Sequence, residues 1–273
     1  MLSSSQAARA AATARNPQAG ERHDQGGCAT SPATLEEGRR KTMEISTDEL
    51  LKHLTRIYLN GCVHRVVFQE DLSAYGSDAA DLLLVSLPPL LKAPVLPCPV
   101  AIDSPCVLGS LIELLPDQGP TTELSYDDTI QSLVFEFGNG APVACPVWPQ
   151  NDKEMAADAA WIDRVLGSYD YSRAVSLYRD ATDIMQTIGQ RFPGEVLQLQ
   201  VDSTGAFLVP HATGSARLLV PMSTETELDA EVWADLLVAA LDHLPATPAP
   251  RLVPSDLDGR ICLTDDSALY VLS

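Results

Sequence analysis

From Met43 onward the apolar residues fall into two kinds of repeat that alternate along the chain. Leu50, Leu51, Leu54, Ile57 and Tyr58 recur at three- and four-residue spacing behind Ser46 and Glu49, a capping-box pair, which predicts an amphipathic helix over about 47–60. VHRVVFQ (63–69) and DLLLVSL (81–87) read as strands. Residues 88–99 hold too many prolines to donate to a ladder and read as a connector. PVAID (99–103) is a short strand, after which Ser104 and Pro105 take the N-cap and first-turn positions of a second helix, VLGSLIELL, stopped by Pro116. TTELSYD (121–127), SLVFEFG (132–138) and APVACPVW (141–148) follow as strands.

The second part of the chain repeats this order. A helix is predicted over 172–188, with Ala174, Leu177, Tyr178, Ala181, Ile184, Met185 and Ile188 on one stripe and Arg173, Arg179, Asp180 and Asp183 off it. Strands EVLQLQV (195–201), GAFLVPH (205–211) and ARLLVPM (216–222) come next, then a helix over 228–244 and a terminal hairpin. Between the halves, PQNDKEMAADAA (149–160) is small and polar with no strand signal and places the domain boundary, and a short helix is expected near Trp161–Leu166. The expected organisation is therefore a first domain over 43–149, a linker over 150–168 and a second domain over 169–273.

The 273 residues and 45% hydrophobic content suit two ordinary domains. Residues 1–42 carry almost no large apolar side chains and are expected to be a disordered extension, with Met43 as the functional start. An organelle transit peptide is the other reading of this Arg- and Ala-rich leader, though it lacks an amphipathic stripe. The extension holds six basic and four acidic residues, so the formal charge of −19 for the whole chain becomes −21 for the rest. Such acidity argues against coating nucleic acid or anionic membrane with the entire surface, yet leaves room for a local basic face. No apolar run reaches the ~20 residues that cross a bilayer.

The chemistry of catalysis is sparse. Six cysteines lie apart with no CxxC pair and read as buried free thiols, and the five histidines form no HxH or HExxH spacing. No GxSxG, phosphate-binding loop or dinucleotide fingerprint occurs, so neither metal nor cofactor is expected. Cys145 with His211 is the one nucleophile pair on offer, for an unrecognised hydrolase. The pairs Asp127–Asp128 and Asp265–Asp266 sit where hairpin turns are expected, a structural use of aspartate rather than paired acid–base carboxylates.

The opening helix TDELLKHLTRIYLNG, the unit VAIDSPCVLGSLIELL with LSYDDTIQSLVFEFG, the second opening helix YSRAVSLYRDATDIMQTIG before VLQLQVDSTGAFLV, and the terminal LTDDSALYVLS together resemble a DNA polymerase sliding clamp of the two-domain kind. The phage type looks nearer than the eukaryotic proliferating-cell nuclear antigen. The resemblance rests on order and pattern over most of residues 43–273. It implies an α+β fold of two similar domains, each with two helices on one side of antiparallel sheets. It further implies a non-enzymatic homotrimeric ring around duplex DNA, with DNA polymerase and a clamp loader as partners, working in the cytoplasm, a host's if the protein is viral. A terminal hairpin strand held in the sheet then explains why the last residues are so apolar.

On this resemblance Lys52, Arg56, Arg173 and Arg179 face the DNA hole, and Val147, Trp148, Leu269 and Val271 line a pocket for a partner's apolar plug. The plain alternatives are solvated surface charges for the four cations and core packing for Trp148. The sequence departs from the pattern in its second helix, which has no basic residue, and in its fourth, where Asp229, Glu231, Asp235 and Asp242 meet only His243. The competing reading of the whole chain is an acidic structural or regulatory protein-binding module, a virion component or a DNA mimic.

Overall fold

The structure is a computed structural model that describes residues 42–78, 83–103, 106–138, 141–212, 216–222, 227–244, 249–255, 259–265 and 267–273. The expected extension (save Thr42), the Ser104–Pro105 cap and Asp266 lie outside the described residues.

The first half runs β1 (Met43–Ser46), α1 (Thr47–Tyr58), β2 (Arg65–Phe68), β3 (Ala74–Ser77), β4 (Leu83–Leu87), β5 (Val100–Ile102), α2 (Cys106–Leu114), β6 (Thr121–Asp127), β7 (Ser132–Phe137), β8 (Val143–Pro146) and β9 (Trp148–Pro149). A connecting helix, α3 (Asp152–Leu166), follows. The second half runs β10 (Val175–Ser176), α4 (Arg179–Arg191), β11 (Val196–Asp202), β12 (Gly205–Pro210), β13 (Leu218–Val220), β14 (Leu228–Trp233), α5 (Ala234–His243), β15 (Arg251–Pro254), β16 (Ile261–Thr264) and β17 (Leu269–Leu272).

The sheet orders are β1-β6-β7-β8, β10-β15-β16-β17-β4-β3-β2-β5-β9 and β13-β12-β11-β14, and the pairings are antiparallel. Split between β17 and β4, the nine-stranded sheet yields β10-β15-β16-β17, the counterpart of β1-β6-β7-β8, and β4-β3-β2-β5-β9, whose first four strands are the counterpart of β13-β12-β11-β14. The chain is thus an α+β protein whose halves repeat the same two sheets. They are fused by one ladder, in which Leu269, Tyr270, Val271 and Leu272 lie opposite Ser86, Val85, Leu84 and Leu83.

Strand alternation sorts the central sheet into two faces. Leu83, Val85, Leu252, Leu263, Tyr270 and Leu272 point into the main core with α1, α2, α4 and α5. Leu84, Val253, Cys262 and Val271 point the other way and are covered by Trp161, Ile162, Val165 and Leu166 of α3. β16, β17 and β4 are buried on both faces, which is why ICL, LYVL and LLV are continuously apolar.

Each helix pair meets at a glycine. A Cβ on Gly109 of α2 would stand 2.8 Å from the Tyr58 hydroxyl of α1, and one on Gly189 of α4 would stand 2.5 Å from Cγ2 of Val238 on α5.

Several sequence expectations need correction. The helix expected over 172–188 begins only at Arg179, because Asp170 caps a separate 3-10 turn at Tyr171–Arg173 and Val175–Ser176 pairs with Leu252 and Arg251 of β15. The helix expected over 228–244 begins at Ala234. Residues 228–233 form a strand with Ala230 and Val232 buried and Asp229, Glu231 and Trp233 exposed, a period of two hidden in a stretch that also fits a helix. The short helix near Trp161 extends back to Asp152, where Asn151 and Glu154 form a full capping box. APVACPVW divides into β8 and β9, which belong to different sheets.

Gly189→Ala forces α4 away from the β-branched Val238 and is expected to lower stability by about 1–3 kcal/mol, read as a fall in the urea unfolding midpoint.

Candidate nucleic-acid interface

The surface that a clamp would turn to DNA is the solvent side of α1, α2, α4 and α5. Amphipathicity fixes it: Leu50, Leu54 and Ile57 of α1 and Ala181, Met185 and Ile188 of α4 are buried, so the intervening residues face out.

Of the four cations assigned to this surface, Lys52 is exposed on α1. Arg179 is exposed on the first turn of α4 and lies 3.7 Å from Asp183, a helical pair whose two side chains are too solvated to add more than about 0.5 kcal/mol. Arg173 is not on α4 at all. It belongs to the preceding 3-10 turn and donates from Nη2 to the Glu227 carbonyl at 2.9 Å. Arg56 turns toward the second half: Nη1 donates to Ser267 Oγ at 2.5 Å and Nη2 lies 4.0 Å from Asp265 Oδ2. Its partner carboxylate is only 2% exposed. Asp265 Oδ1 in turn accepts from the backbone N–H groups of Ser267 and Ala268, so Arg56 pins a turn that its own partner organises. A second tie between the halves joins His243 Nε2 on α5 to Asn60 Oδ1 at 3.2 Å.

Arg191, in the last turn of α4, is a further exposed cation on these helices, and its signal was its place three residues past the expected helix end. Together the four helices present Lys52, Arg56, Arg179 and Arg191 against Asp48, Glu49, Glu113, Asp180, Asp183, Asp235 and Asp242. Four cations against seven carboxylates make a mildly acidic set. Asp229 and Glu231 drop out of it because they stand on β14.

The four residues assigned to a partner pocket do not converge. Leu269 and Val271 lie on β17 at the junction, packed with α3. Trp148 is 57% exposed on β9, five strands away along the same sheet, and Val147 is buried in the main core. Asp127 Oδ1 accepts from the N–H of Thr129 at 3.0 Å, a turn role like that of Asp265. Cys145 lies on β8 and His211 follows β12 in another sheet, and burial pushes the Cys145 thiol up to about 12. Among the described residues no group of three His, Cys, Asp or Glu is placed to hold a metal ion, and no helix is long and apolar enough to cross a membrane.

His53 is the titratable group that α1 buries. Desolvation lowers its pKa to about 4, a backbone hydrogen bond with Leu72 opposes that, and the Arg56 charge adds to it.

Solved structures similar to this chain include DNA polymerase sliding clamps. The sliding clamp of Caulobacter crescentus aligns with a TM-score of 0.62 and 15% identity, over 88% of this chain and 67% of that one. The DNA polymerase III beta chain of Streptococcus pneumoniae TIGR4 aligns with a TM-score of 0.65 and 12% identity, over 90% and 67%. The PCNA2-PCNA3 complex of Sulfolobus tokodaii gives 0.51 and 9%, over 85% of this chain and 98% of that one. The chain has the sliding-clamp fold. It spans about two thirds of the length of the bacterial clamps and nearly all of the archaeal chain. No protein-family model and no curated protein matches the sequence.

Arg56→Ala leaves the Asp265 carboxylate buried without its cation and is expected to cost about 1–3 kcal/mol by chemical denaturation, whereas Lys52→Ala stays within about 0.5 kcal/mol. Because the folded pKa of His53 lies below its unfolded value of 6.5, the unfolded chain binds the proton more readily. Its contribution is full above pH 6.5 and is lost as pH falls toward 4, so His53→Leu is expected to flatten the stability-against-pH curve in that window.

Proposed function

We propose that this protein is a DNA polymerase processivity factor: three copies close into a ring that encircles duplex DNA and holds a polymerase to it. The observation that carries the reading is the junction of β17 with β4 inside a duplicated fold. By the correspondence of the halves, β8 is the equivalent of β17 and β13 the equivalent of β4, and each ends its own four-stranded sheet. A free edge is a template for another chain. Pairing β8 of one copy with β13 of the next repeats the internal junction, and a head-to-tail contact whose rotation is a third of a turn closes a ring of three. Leu219 stands 63% exposed on β13, where a neighbour would cover it. The sliding-clamp fold of the relatives supports the same assignment, and so does the 98% coverage of the archaeal chain.

The mechanism is topological and non-enzymatic. A closed ring keeps its polymerase at high effective concentration on the template, so a dissociated polymerase rebinds before it diffuses away. Tight phosphate contact is not required. With so few cations on the four helices, few counterions are released, and retention on DNA depends only weakly on salt. Opening such a ring calls for a loader, and polymerase and loader are the protein partners of this reading, which places the protein in the cytoplasm, a host's if it is viral.

The acidity of the helix set favours a second reading, an acidic protein-binding module that competes with DNA for a partner. Light scattering behind size exclusion separates the two. The clamp is expected near three times 29.3 kDa, and Leu219→Glu is expected to return it to a monomer. The trimer is expected to stay on closed circular DNA at moderate salt and run off once the circle is cut. A chain that remains monomeric at high concentration, or that leaves both DNAs alike, sinks the clamp reading.

A further inference from the structure

We propose that α3 is a removable strap: it packs on the apolar face of the junction sheet as a unit of its own, and it lifts from that face while the helix core stays closed.

Four observations carry it. The contact is a cluster of its own, Trp161, Ile162, Val165 and Leu166 on Leu84, Val253, Cys262 and Val271, separate from the main core. Lifting α3 therefore leaves the packing of α1, α2, α4 and α5 intact. The helix is also self-sufficient. Asn151 and Glu154 cap its N-terminus reciprocally, Ala156, Ala157, Ala159 and Ala160 are strong helix formers, and its backbone bonds need nothing from the sheet.

The N-terminal part is held by a polar latch rather than by packing. The Tyr75 hydroxyl donates to Asp158 Oδ2 at 2.6 Å, Arg65 Nη1 lies 3.5 Å from the same oxygen, and Arg65 Nη2 donates to Gln150 Oε1 at 2.6 Å. On the two sides of this latch the fit is incomplete. One cleft of about 590 Å³ is bordered by Trp148, Glu154 and Ala157, and another of about 300 Å³ by Gln69, Met155 and Ala159. The C-terminal part of α3 holds the face beneath it with one aromatic and two aliphatic side chains at helical spacing, Trp161, Ile162 and Val165.

Cys262 reports the motion. It lies beneath α3, and burial holds its thiol near 12, as it holds Cys145 in the first-half core, so each reacts only through an opening that exposes it. The full chain, without DNA, is treated with a maleimide under native conditions and each cysteine is quantified by mass spectrometry. Cys262 is expected to label at least about tenfold faster than Cys145. The pair Tyr75→Phe with Asp158→Asn is expected to raise the Cys262 rate by about another tenfold, leaving Cys145 unchanged. Equal rates at the two cysteines, an unchanged Cys262 rate in the latch variant, or a rise shared by both thiols each overturns the strap. A monomeric chain with a fast Cys262 removes the clamp reading and keeps the strap, and a trimer with a slow Cys262 does the reverse.

Discussion

The structure depends on one ladder, the antiparallel pairing of β17 with β4. Without it β17 and β4 would each be an open sheet edge, and an open edge is both unsatisfied hydrogen-bonding capacity and an aggregation hazard. Joining β17 to β4 uses one edge from each half and makes the last strand of the chain a central strand. Its side chains then have neighbours on both faces: Tyr270 and Leu272 in the main core, Val271 under α3. At about 1.5–3 kcal/mol for each fully buried large apolar side chain, three such residues hold the terminus far better than backbone bonds alone. Arg56 then carries the join to the helix side, binding the turn that delivers β17.

That role for Arg56 changes the electrostatic picture. A guanidinium committed to a buried carboxylate contributes less field to solvent than a free one, and Arg173 is likewise spent on a carbonyl. What remains toward solvent on the helix side is Lys52, Arg179 and Arg191 among more numerous carboxylates. Over a Debye length of about 8 Å at physiological salt, such a mixture neither attracts nor strongly repels a duplex. A ring does not need the attraction, whereas a protein that binds DNA by surface contact alone would. On the proposed function, the weak helix charge is thus easier to reconcile with encirclement than with an open DNA-binding surface.

The sequence made some elements plain and hid others for physical reasons. α1 is legible because its cap and its apolar period agree, with Ser46 at the N-cap and Leu50, Leu54 and Ile57 buried. β6, β7, β11 and β12 are legible because each hairpin alternates cleanly or ends in a turn residue. The stretch 228–244 was not, since Leu228, Val232 and Leu236 satisfy a helical stripe while Ala230 and Val232 satisfy an alternating one. Only the pairing of β14 with β11 decides between them. β10 has two residues and no period to read. Arg173 was assigned to a helix for the same reason, because nothing local reveals that Val175 and Ser176 are claimed by β15. Trp148 and Val147 looked like one apolar segment with a strand, and the break between β8 and β9 sends them to opposite environments.

The place of α3 follows from topology. β9 and β10 are the two ends of the nine-stranded sheet, so the chain must travel the full width of that sheet to pass from one half to the other. Eight interstrand steps at about 4.8 Å make a crossing of about 38 Å. The fifteen residues of α3 supply about 22 Å at 1.5 Å each, and the extended residues on either side readily supply the rest. The main-core face is already filled by α1, α2, α4 and α5, which leaves the opposite face as the only route. Because β17 and β4 stand in the middle of the strand order, any connector on that face must pass over the junction. Making the connector a helix turns an unavoidable crossing into an apolar cover for Leu84, Val253, Cys262 and Val271, and it concentrates at one ladder both the fusion of the halves and the surface that α3 covers.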